Sequence, residues 1–375
     1  MAQRWLLRSR KVPVMWTRAF DSPLWILLAA LSLPMTAVAQ NQTLEITKLA
    51  DGVYAAIYSE LRMDPVEGNS LIVVGDEGVL VLDSGRTPDA ARTMISEIRK
   101  LTSKPVRYVV NSHWHDDHIF GNQAYAEAFP GVQIVAHRQT RDDMRDKVVP
   151  SLKEYGVEYW TKMADDVDAR LAKGTTTQGA QLTEQQKSRL QEQSKTLRAF
   201  LPKIPSLRVV LPSLTIGDGL TVHDGSREIR IVHLGLGNTQ GDVIVYLPKE
   251  RILATGDLLV HPVPFAYGSS WPDWIDTLKK LRAFDADVIV PGHGPLMRDK
   301  AYLDSVIELF ESLTQQVRGA IKRGLTLDET KKAVDLEKLR TRFTADDPVR
   351  KGMFADSLLR SALEDVYKAL TPTSK

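Results

Sequence analysis

The 375-residue sequence contains no cysteine. Disulfide bonds, thiolate metal ligands and a nucleophilic cysteine are therefore excluded, and so is a lipid-anchored amino-terminal cysteine. The sequence also has little excess of either charge, since 49 Lys and Arg are balanced by 47 Asp and Glu. Because the two signs are interspersed, there is no basic footprint for nucleic acid, and we expect no nucleic-acid partner.

No apolar run is long enough to span a bilayer comfortably. The run at residues 24–33 follows several arginines and precedes Ala-Val-Ala at 37–39. This order is typical of an export signal cleaved before Gln40. We expect a signal peptide over 1–39, a periplasmic or secreted protein, and membrane contact only through that signal. An uncleaved amino-terminal anchor is the alternative.

The first half of the remaining chain alternates strand and helix patterns. β-rich runs at 69–75 and 78–85 flank a Gly-Asp-Glu-Gly turn, which predicts a hairpin. Thr87 is a candidate N-cap with Pro88 at the first helical position, and 106–110 is the next predicted strand. A short helix at 124–129 and a strand at 132–136 follow. This alternation indicates an α/β fold.

Residues 138–205 are rich in charged and amide side chains and predict a helical insertion. Thr183 and Gln186 fit a capping box that begins a helix reaching residue 201, and 174–179 has the composition of a flexible joint. Two roles remain open for the insertion, a solvated cover without chemistry or a wall of the substrate entrance.

β-rich patterns return after residue 207, and helices follow residue 299. The predicted strands lie at 208–211, 214–222 (with an internal turn), 228–234, 242–247, 251–254 and 287–290. A seven-residue apolar rhythm predicts one long helix from Tyr302 to Ile321. Shorter helices are predicted from Thr326 and over 353–370. No internal repeat or low-complexity tract is present.

The chemistry is concentrated in the segment Asn-Ser-His-Trp-His-Asp-Asp-His at 111–118, directly after a predicted strand. Imidazoles suit zinc and similar metals, and a carboxylate can complete the shell. His113 and His115 are spaced to chelate one ion, while Asp117 and His118 face a neighbouring position. Two adjacent ions are typical of hydrolytic centres. A metal-free, His-rich surface loop is the weaker alternative.

The pattern His-x-His-x-Asp-His resembles the signature of the metallo-β-lactamase superfamily. That resemblance implies an α/β fold of four layers, an αββα sandwich over residues 40–298, with the 138–205 insertion and a helical carboxy-terminal extension over 299–375. It also implies two later metal ligands, Asp257 and His293, and a bracing role for Asp83 without metal contact. The implied cofactor is zinc, one or two ions per chain.

One position departs from the superfamily. Where the resemblance expects a histidine in Gly-His-Thr-x-Gly-Asp, this chain has Asn238. Three alternatives remain open: Asn238 binds the first ion weakly or through water, one ion suffices, or His261 substitutes. Asn238 could also donate its amide to a developing oxyanion.

The resemblance implies a zinc-dependent hydrolase acting on a carbonyl substrate, with a cyclic amide or ester as the expected small molecule. Asp117 is expected to act in catalysis by orienting the nucleophilic water. Trp114, Trp271 and Trp274 either line an apolar entrance or pack a helix onto the sheet. The contrasting hypothesis is a non-catalytic periplasmic metal-binding accessory protein of the same fold. The sequence does not indicate an oligomeric state.

Overall fold

The computed structural model describes residues 44–58, 66–175 and 181–371. The expected signal peptide and most of the predicted joint at 174–179 lie outside these ranges. Within them, no helix combines the length and apolar character needed to cross a membrane.

The first sheet has seven strands in sequence order. They are β1 Leu44–Ala50, β2 Val53–Tyr58, β3 Ser70–Val74, β4 Val79–Leu82, β5 Val106–Val110, β6 Gln133–His137 and β7 Leu214–Ile216. The first four pair antiparallel, and β4 to β7 pair in parallel. Parallel neighbours bring the carboxyl ends of β4 and β5 to one edge, which places Asp83 beside the loop that carries the histidines.

The second sheet has five strands in the order β12-β11-β10-β9-β8. They are β8 Gly219–Asp224, β9 Arg227–Val232, β10 Ile244–Leu247, β11 Ile252–Val260 and β12 Val288–His293. Pairing is antiparallel except between β11 and β12, which run in parallel. Buried side chains of both sheets form one shared core, with Leu71, Val110, Ile231 and Val245 fully buried.

Twelve α-helices lie in the described residues, and some of them cover the outer face of each sheet. They are α1 Pro88–Leu101, α2 Asp116–Ile119, α3 Asn122–Ala128, α4 Arg138–Asp143, α5 Val149–Lys173, α6 Glu184–Phe200, α7 Asp273–Arg282, α8 Ala301–Lys322, α9 Leu327–Ala333, α10 Glu337–Thr344, α11 Pro348–Met353 and α12 Ser361–Leu370. Helices α1 and α3 pack on the first sheet, and α7 and α8 on the second. The predicted α/β sandwich with helical additions is therefore confirmed.

Local sequence signals account for several helix boundaries. The Thr87 hydroxyl accepts a hydrogen bond from the Ala90 amide, and Pro88 begins α1 as predicted. Thr183 and Gln186 form the predicted capping box of α6, and Thr326 and Glu329 form another at α9. These caps satisfy amide groups that have no partner inside the helix.

The insertion packs against the histidine loop. Met144, Trp160 and Leu197 share a buried cluster with Trp114 and Phe120, which lie within and just after that loop. The Arg86 guanidinium also lies over the Trp160 ring, 5.5 Å from its centroid. The insertion thus supports the loop from the side of Trp114 and Phe120.

Some predicted strands were wrong. Residues 208–211 form no strand, and 214–222 is not a hairpin, because β7 and β8 belong to different sheets. The predicted strand at 251–254 is longer, because β11 continues to Val260 and therefore includes Asp257. His293 is the last residue of β12, which extends beyond the end of the predicted strand at 287–290.

Candidate metal centre

The loop after β5 bends at residues 112–114 and then forms the single helical turn α2. This turn places Asp117 and His118 on a short helix, whereas His113 and His115 lie before it. The His113 ring is 4.5 Å from the His115 ring and 4.3 Å from the His118 ring, centroid to centroid. His113 and His118 are fully buried, and Asp117 is almost so.

Two clusters of possible metal-binding atoms face each other. The first cluster contains His113, His115 and Asp257, and the second contains Asp117, His118 and His293; they form the first and the second side of the centre. Within each cluster the ligand atoms lie within 4.8 Å of one another. All six residues that the sequence predicts as metal ligands are therefore brought together from three distant parts of the chain.

Asp257 lies between the two clusters. Its Oδ2 is 3.7 Å from Nε2 of His113, while its Oδ1 is 3.3 Å from Nε2 of His118 and 3.5 Å from Nε2 of His293. Asp117 belongs to the second side, with Oδ2 3.0 Å from Nε2 of His293. One carboxylate is thus within reach of both positions.

Buried polar atoms in this space lack hydrogen-bond partners. They are Nε2 of His113, Nε2 of His118, Oδ1 of Asp257 and Oδ1 of Asn238. Leaving such atoms unpaired in a protein interior costs free energy. Imidazole nitrogens and carboxylate oxygens converging without partners fit divalent metal ions.

Asp83 fixes the second side from behind. Its backbone φ is 63°, an unusual conformation for a residue other than glycine. Its carboxylate accepts hydrogen bonds from the amide and the hydroxyl of Ser112, both at 2.7 Å, and lies 2.8 Å from Nδ1 of His118. This contact leaves Nε2 of His118 for the centre.

The end of β12 is anchored by Asn69, which the sequence analysis did not single out. Its amide nitrogen donates to the carbonyls of Pro291 and Gly294, at 3.0 and 2.8 Å. Gly292 lets β12 pass close to Asp257, because a Cβ at this position would lie 2.0 Å from Oδ1 of Asp257. These contacts hold His293 beside β11.

A second group of residues that was not predicted from the sequence surrounds Arg86. Its guanidinium donates to Oδ1 of Asp116 at 3.2 Å and lies 3.9 Å from Oδ1 of Asp117. The Arg86 amide donates to Glu67 at 2.6 Å. Burial raises the pKa of Glu67 to about 7, against the opposing effect of Arg86. The arginine directly after Asp-Ser-Gly at 83–85 was the signal that could have identified this support.

The electrostatics separate the two sides. Burial lowers the pKa of His115 to about 4, and burial with nearby His118 lowers the pKa of His113 well below its usual value. Burial also acts to lower the pKa of His118, but Asp117 and Asp83 outweigh it and hold this pKa well above the usual value. In the metal-free protein an imidazolium therefore neutralises the carboxylates, and a metal ion binding there displaces a proton.

Asn238 lies beside the first cluster. Its amide nitrogen donates to the carbonyl of Phe265 at 2.6 Å, and the Phe265 ring is 5.9 Å from the His115 ring. The side chain is buried. His261, proposed from the sequence as a substitute ligand, belongs to neither cluster; its ring packs 5.0 Å from that of Tyr302.

Of the three tryptophans considered for an apolar entrance, Trp271 and Trp274 do not serve that role. Both are buried against Phe310 of α8, with ring centroids 4.5 and 4.9 Å away. Trp114 is also buried, although its ring lies 4.7 Å from that of His115. The alternative of helix packing holds for Trp271 and Trp274.

Two clusters joined by one carboxylate lie at the edge of two facing sheets covered by helices, so the fold is an αββα sandwich with a candidate centre for metal ions. A sequence model of the metallo-beta-lactamase superfamily matches residues 63–293. The chain belongs to this superfamily.

Individual relatives are distant. The chain is 23% identical over 279 residues to a linear primary-alkylsulfatase of Pseudomonas sp., covering 71% of this chain and 49% of that protein. It is 21% identical over 282 residues to a type 2 metallo-beta-lactamase of Bacteroides fragilis, covering 72% and 88%. A solved sec-alkylsulfatase from Pseudomonas sp. has a TM-score of 0.57 at 17% identity, covering 87% of this chain and 50% of that one. This chain thus spans about half the length of the alkylsulfatases it matches.

Proposed function

We propose that the protein is a zinc-dependent hydrolase that cleaves a carbonyl substrate, either a cyclic amide or an ester. The observation that carries the proposal is the convergence of unpaired, buried nitrogen and oxygen atoms of His113, His118 and Asp257. Two of the four histidines, His113 and His118, and both carboxylates are nearly or fully buried, so the centre is built into the core and is not a solvated surface cluster.

The residues divide the work between two sides. His113, His115 and Asp257 would hold one zinc ion, and Asp117, His118 and His293 would hold the other. When bound, zinc lowers the pKa of a water molecule from about 16 to near 7. Asp117 would accept a hydrogen bond from this water and so orient it for attack.

An apolar rim next to the first side supports a substrate with an apolar group. Phe265 and Leu236 are 37% and 36% exposed, although large apolar side chains are usually buried. Phe265 packs on Tyr267, with centroids 6.3 Å apart, and its ring also contacts that of His115. We propose that this rim binds the part of the substrate next to the cleaved bond.

A sulfate ester is the second candidate substrate. It is favoured by the similarity to alkylsulfatases, one of which covers more of this chain than the β-lactamase does. An alkyl group would also suit the rim of Phe265 and Leu236. Attack would then occur at the carbon or the sulfur of the ester instead of a carbonyl carbon.

Three substrates offered to the full chain test the proposal: a chromogenic cephalosporin, an aromatic lactone and a medium-chain alkyl sulfate. Each is assayed with zinc, with chelator and after zinc is restored. Turnover of the cephalosporin or the lactone that requires zinc supports the carbonyl proposal. Turnover of the sulfate alone transfers the proposal to the second candidate. No turnover of any substrate by zinc-loaded protein favours the accessory protein.

A matched pair of variants tests the rim. Phe265→Ala is expected to raise KM for the substrate that is turned over, with a smaller change in kcat. Leu214→Ala is the control, because Leu214 is 39% exposed and lies on β7, the last strand of the first sheet. Equal changes in KM for the two variants would show that the rim does not bind the substrate.

We further propose that the protein acts in the periplasm or outside the cell. The proposal is supported by the basic, apolar and small residues that follow one another in the first 39 positions. Fractionation of cells that produce the full chain, with detection of a processed form, tests this location.

A further inference from the structure

Asn238 presents one end of its amide to the protein and leaves the other end without a partner. The group at 2.6 Å from the side chain is the carbonyl of Phe265, which can only accept a hydrogen bond. The amide nitrogen must therefore face Phe265. This assignment follows from chemistry, even though the two ends of an amide have nearly the same shape.

The oxygen end of Asn238 is buried and accepts no hydrogen bond from the described residues. A buried amide oxygen without a donor costs free energy unless it has another electropositive partner. In the first cluster Nε2 of His113 is likewise unpaired. The Phe265 ring against His115 places Asn238 at this side of the centre.

We propose that Oδ1 of Asn238 is a ligand of the first metal ion, held in that orientation by the Phe265 carbonyl. The first ion then has two imidazoles, a neutral amide oxygen and one oxygen of Asp257. The second has two imidazoles and the carboxylates of Asp117 and Asp257. Neutral amide oxygen is a weaker donor to zinc than imidazole or carboxylate, so the centre binds its two ions with unequal affinity.

This inference concerns the same centre as the proposed hydrolysis. Its test measures metal binding instead of turnover, so it can fail while the hydrolase proposal stands, and the reverse also holds. An oxyanion-donor role for Asn238 makes a different prediction: the amide nitrogen would be needed, and metal binding would not depend on the side chain.

Cobalt titration of the metal-free full chain is the experiment. Visible absorption reports the ligand field of each bound Co²⁺, and calorimetry gives the two affinities. We expect two binding steps in the unmodified protein. In Asn238→Ala we expect the tighter binding step to remain and the affinity of the weaker step to fall at least about tenfold. Loss of a residue that only supports a metal ligand already lowers metal affinity by about this factor. In Asn238→His we expect the affinities of the two steps to become more similar, because an imidazole replaces the amide at the weaker site.

Gln240→Ala is the matched control. Gln240 is an exposed amide on the same loop, and its removal should leave both steps unchanged. Two unchanged steps in Asn238→Ala would overturn the proposal, as would loss of both steps in a folded variant. If the alanine variant does not fold, Asn238→His decides: converging affinities support the proposal, and an unchanged separation overturns it.

Discussion

The carboxylate of Asp83 lies 2.8 Å from Nδ1 of His118 and sets the side of the imidazole that faces the metal centre. The same carboxylate accepts the hydroxyl proton of Ser112. Asp83 therefore needs donors at both contacts, and in neutral His118 it favours the tautomer protonated at Nδ1, in which Nε2 has a free lone pair.

Replacing Asp83 with Asn should weaken metal binding at the second side. The amide nitrogen of Asn facing Nδ1 would donate a hydrogen bond to it. This contact would favour the tautomer of His118 that is protonated at Nε2, so that Nε2 could no longer bind a metal ion. We expect an affinity loss of roughly 10–100-fold at the second side, measured by zinc titration with a competing indicator. Asp76→Asn, at the surface, serves as control. Equal affinities in Asp83→Asn and the unmodified protein would contradict this role.

His261→Ala should leave the metal stoichiometry unchanged. His261 belongs to neither ligand cluster; its backbone amide donates to the carbonyl of His293 at 3.1 Å, and its ring packs on Tyr302. Metal analysis after removal of excess zinc provides the measurement, with His115→Ala as the variant that should lose metal. A stoichiometry that falls equally in both variants would make His261 a ligand.

Asp242 should give the metal-free protein a specific pH dependence. Burial raises its pKa from 3.8 to about 7, despite hydrogen bonds from the amide and hydroxyl of Thr239. The folded state therefore binds more protons than the unfolded state between these values. The stability contributed by this group is fully present below the unfolded pKa and is lost as pH rises through about 7.

Asp242→Asn cannot titrate and keeps an oxygen to accept from Thr239. Its stability relative to the unmodified protein should therefore increase as pH rises from 5 to 8. Urea unfolding with chelator present, at several pH values in this range, gives the difference for each pH. A difference that stays constant or declines over the range would show that Asp242 does not titrate as described.

Gly292→Ala should destabilise the fold and the metal centre together. The added Cβ would meet Oδ1 of Asp257 at 2.0 Å and the backbone of Gly256 at 2.7 Å, so β12 must move away from β11. Gly319→Ala is the matched control, since it lies in α8 with its nearest contact at 3.7 Å and should gain roughly 0.5–1 kcal/mol from helix propensity. The midpoint of thermal unfolding should therefore fall in Gly292→Ala and rise in Gly319→Ala. Shifts in the same direction would be inconsistent with a close approach of the two strands at Gly292.

The sequence predicted the histidine loop because its density of histidines and aspartates stands out from structural roles, whereas Asp257 and His293 were predicted only through the resemblance to the superfamily. It also predicted α1 and α6 from their capping residues. It did not predict that β7 and β8 belong to different sheets, because an apolar run and a Gly-Asp-Gly turn fit a hairpin and a sheet-to-sheet crossing equally. Only long-range pairing decides between them.

The surroundings of the centre were harder to predict than its ligands. Trp271 and Trp274 are buried because α8 presents Phe310 to them, a contact between segments far apart in sequence. The orientation of Asn238 depends on a backbone carbonyl, that of Phe265, which any residue could supply. Neither the burial of these tryptophans nor the orientation of Asn238 can be predicted from a local sequence pattern.

Zinc titration into chelator-treated full chain, with hydrolysis of the substrate panel followed at each addition, tests the central claim most directly. The account predicts that turnover is lost with the metal and returns as the two sides fill, reaching its maximum near two bound ions per chain. Turnover that survives metal removal, or zinc-loaded protein that hydrolyses none of the panel, would contradict the assignment of this centre as the site of a zinc-dependent hydrolase.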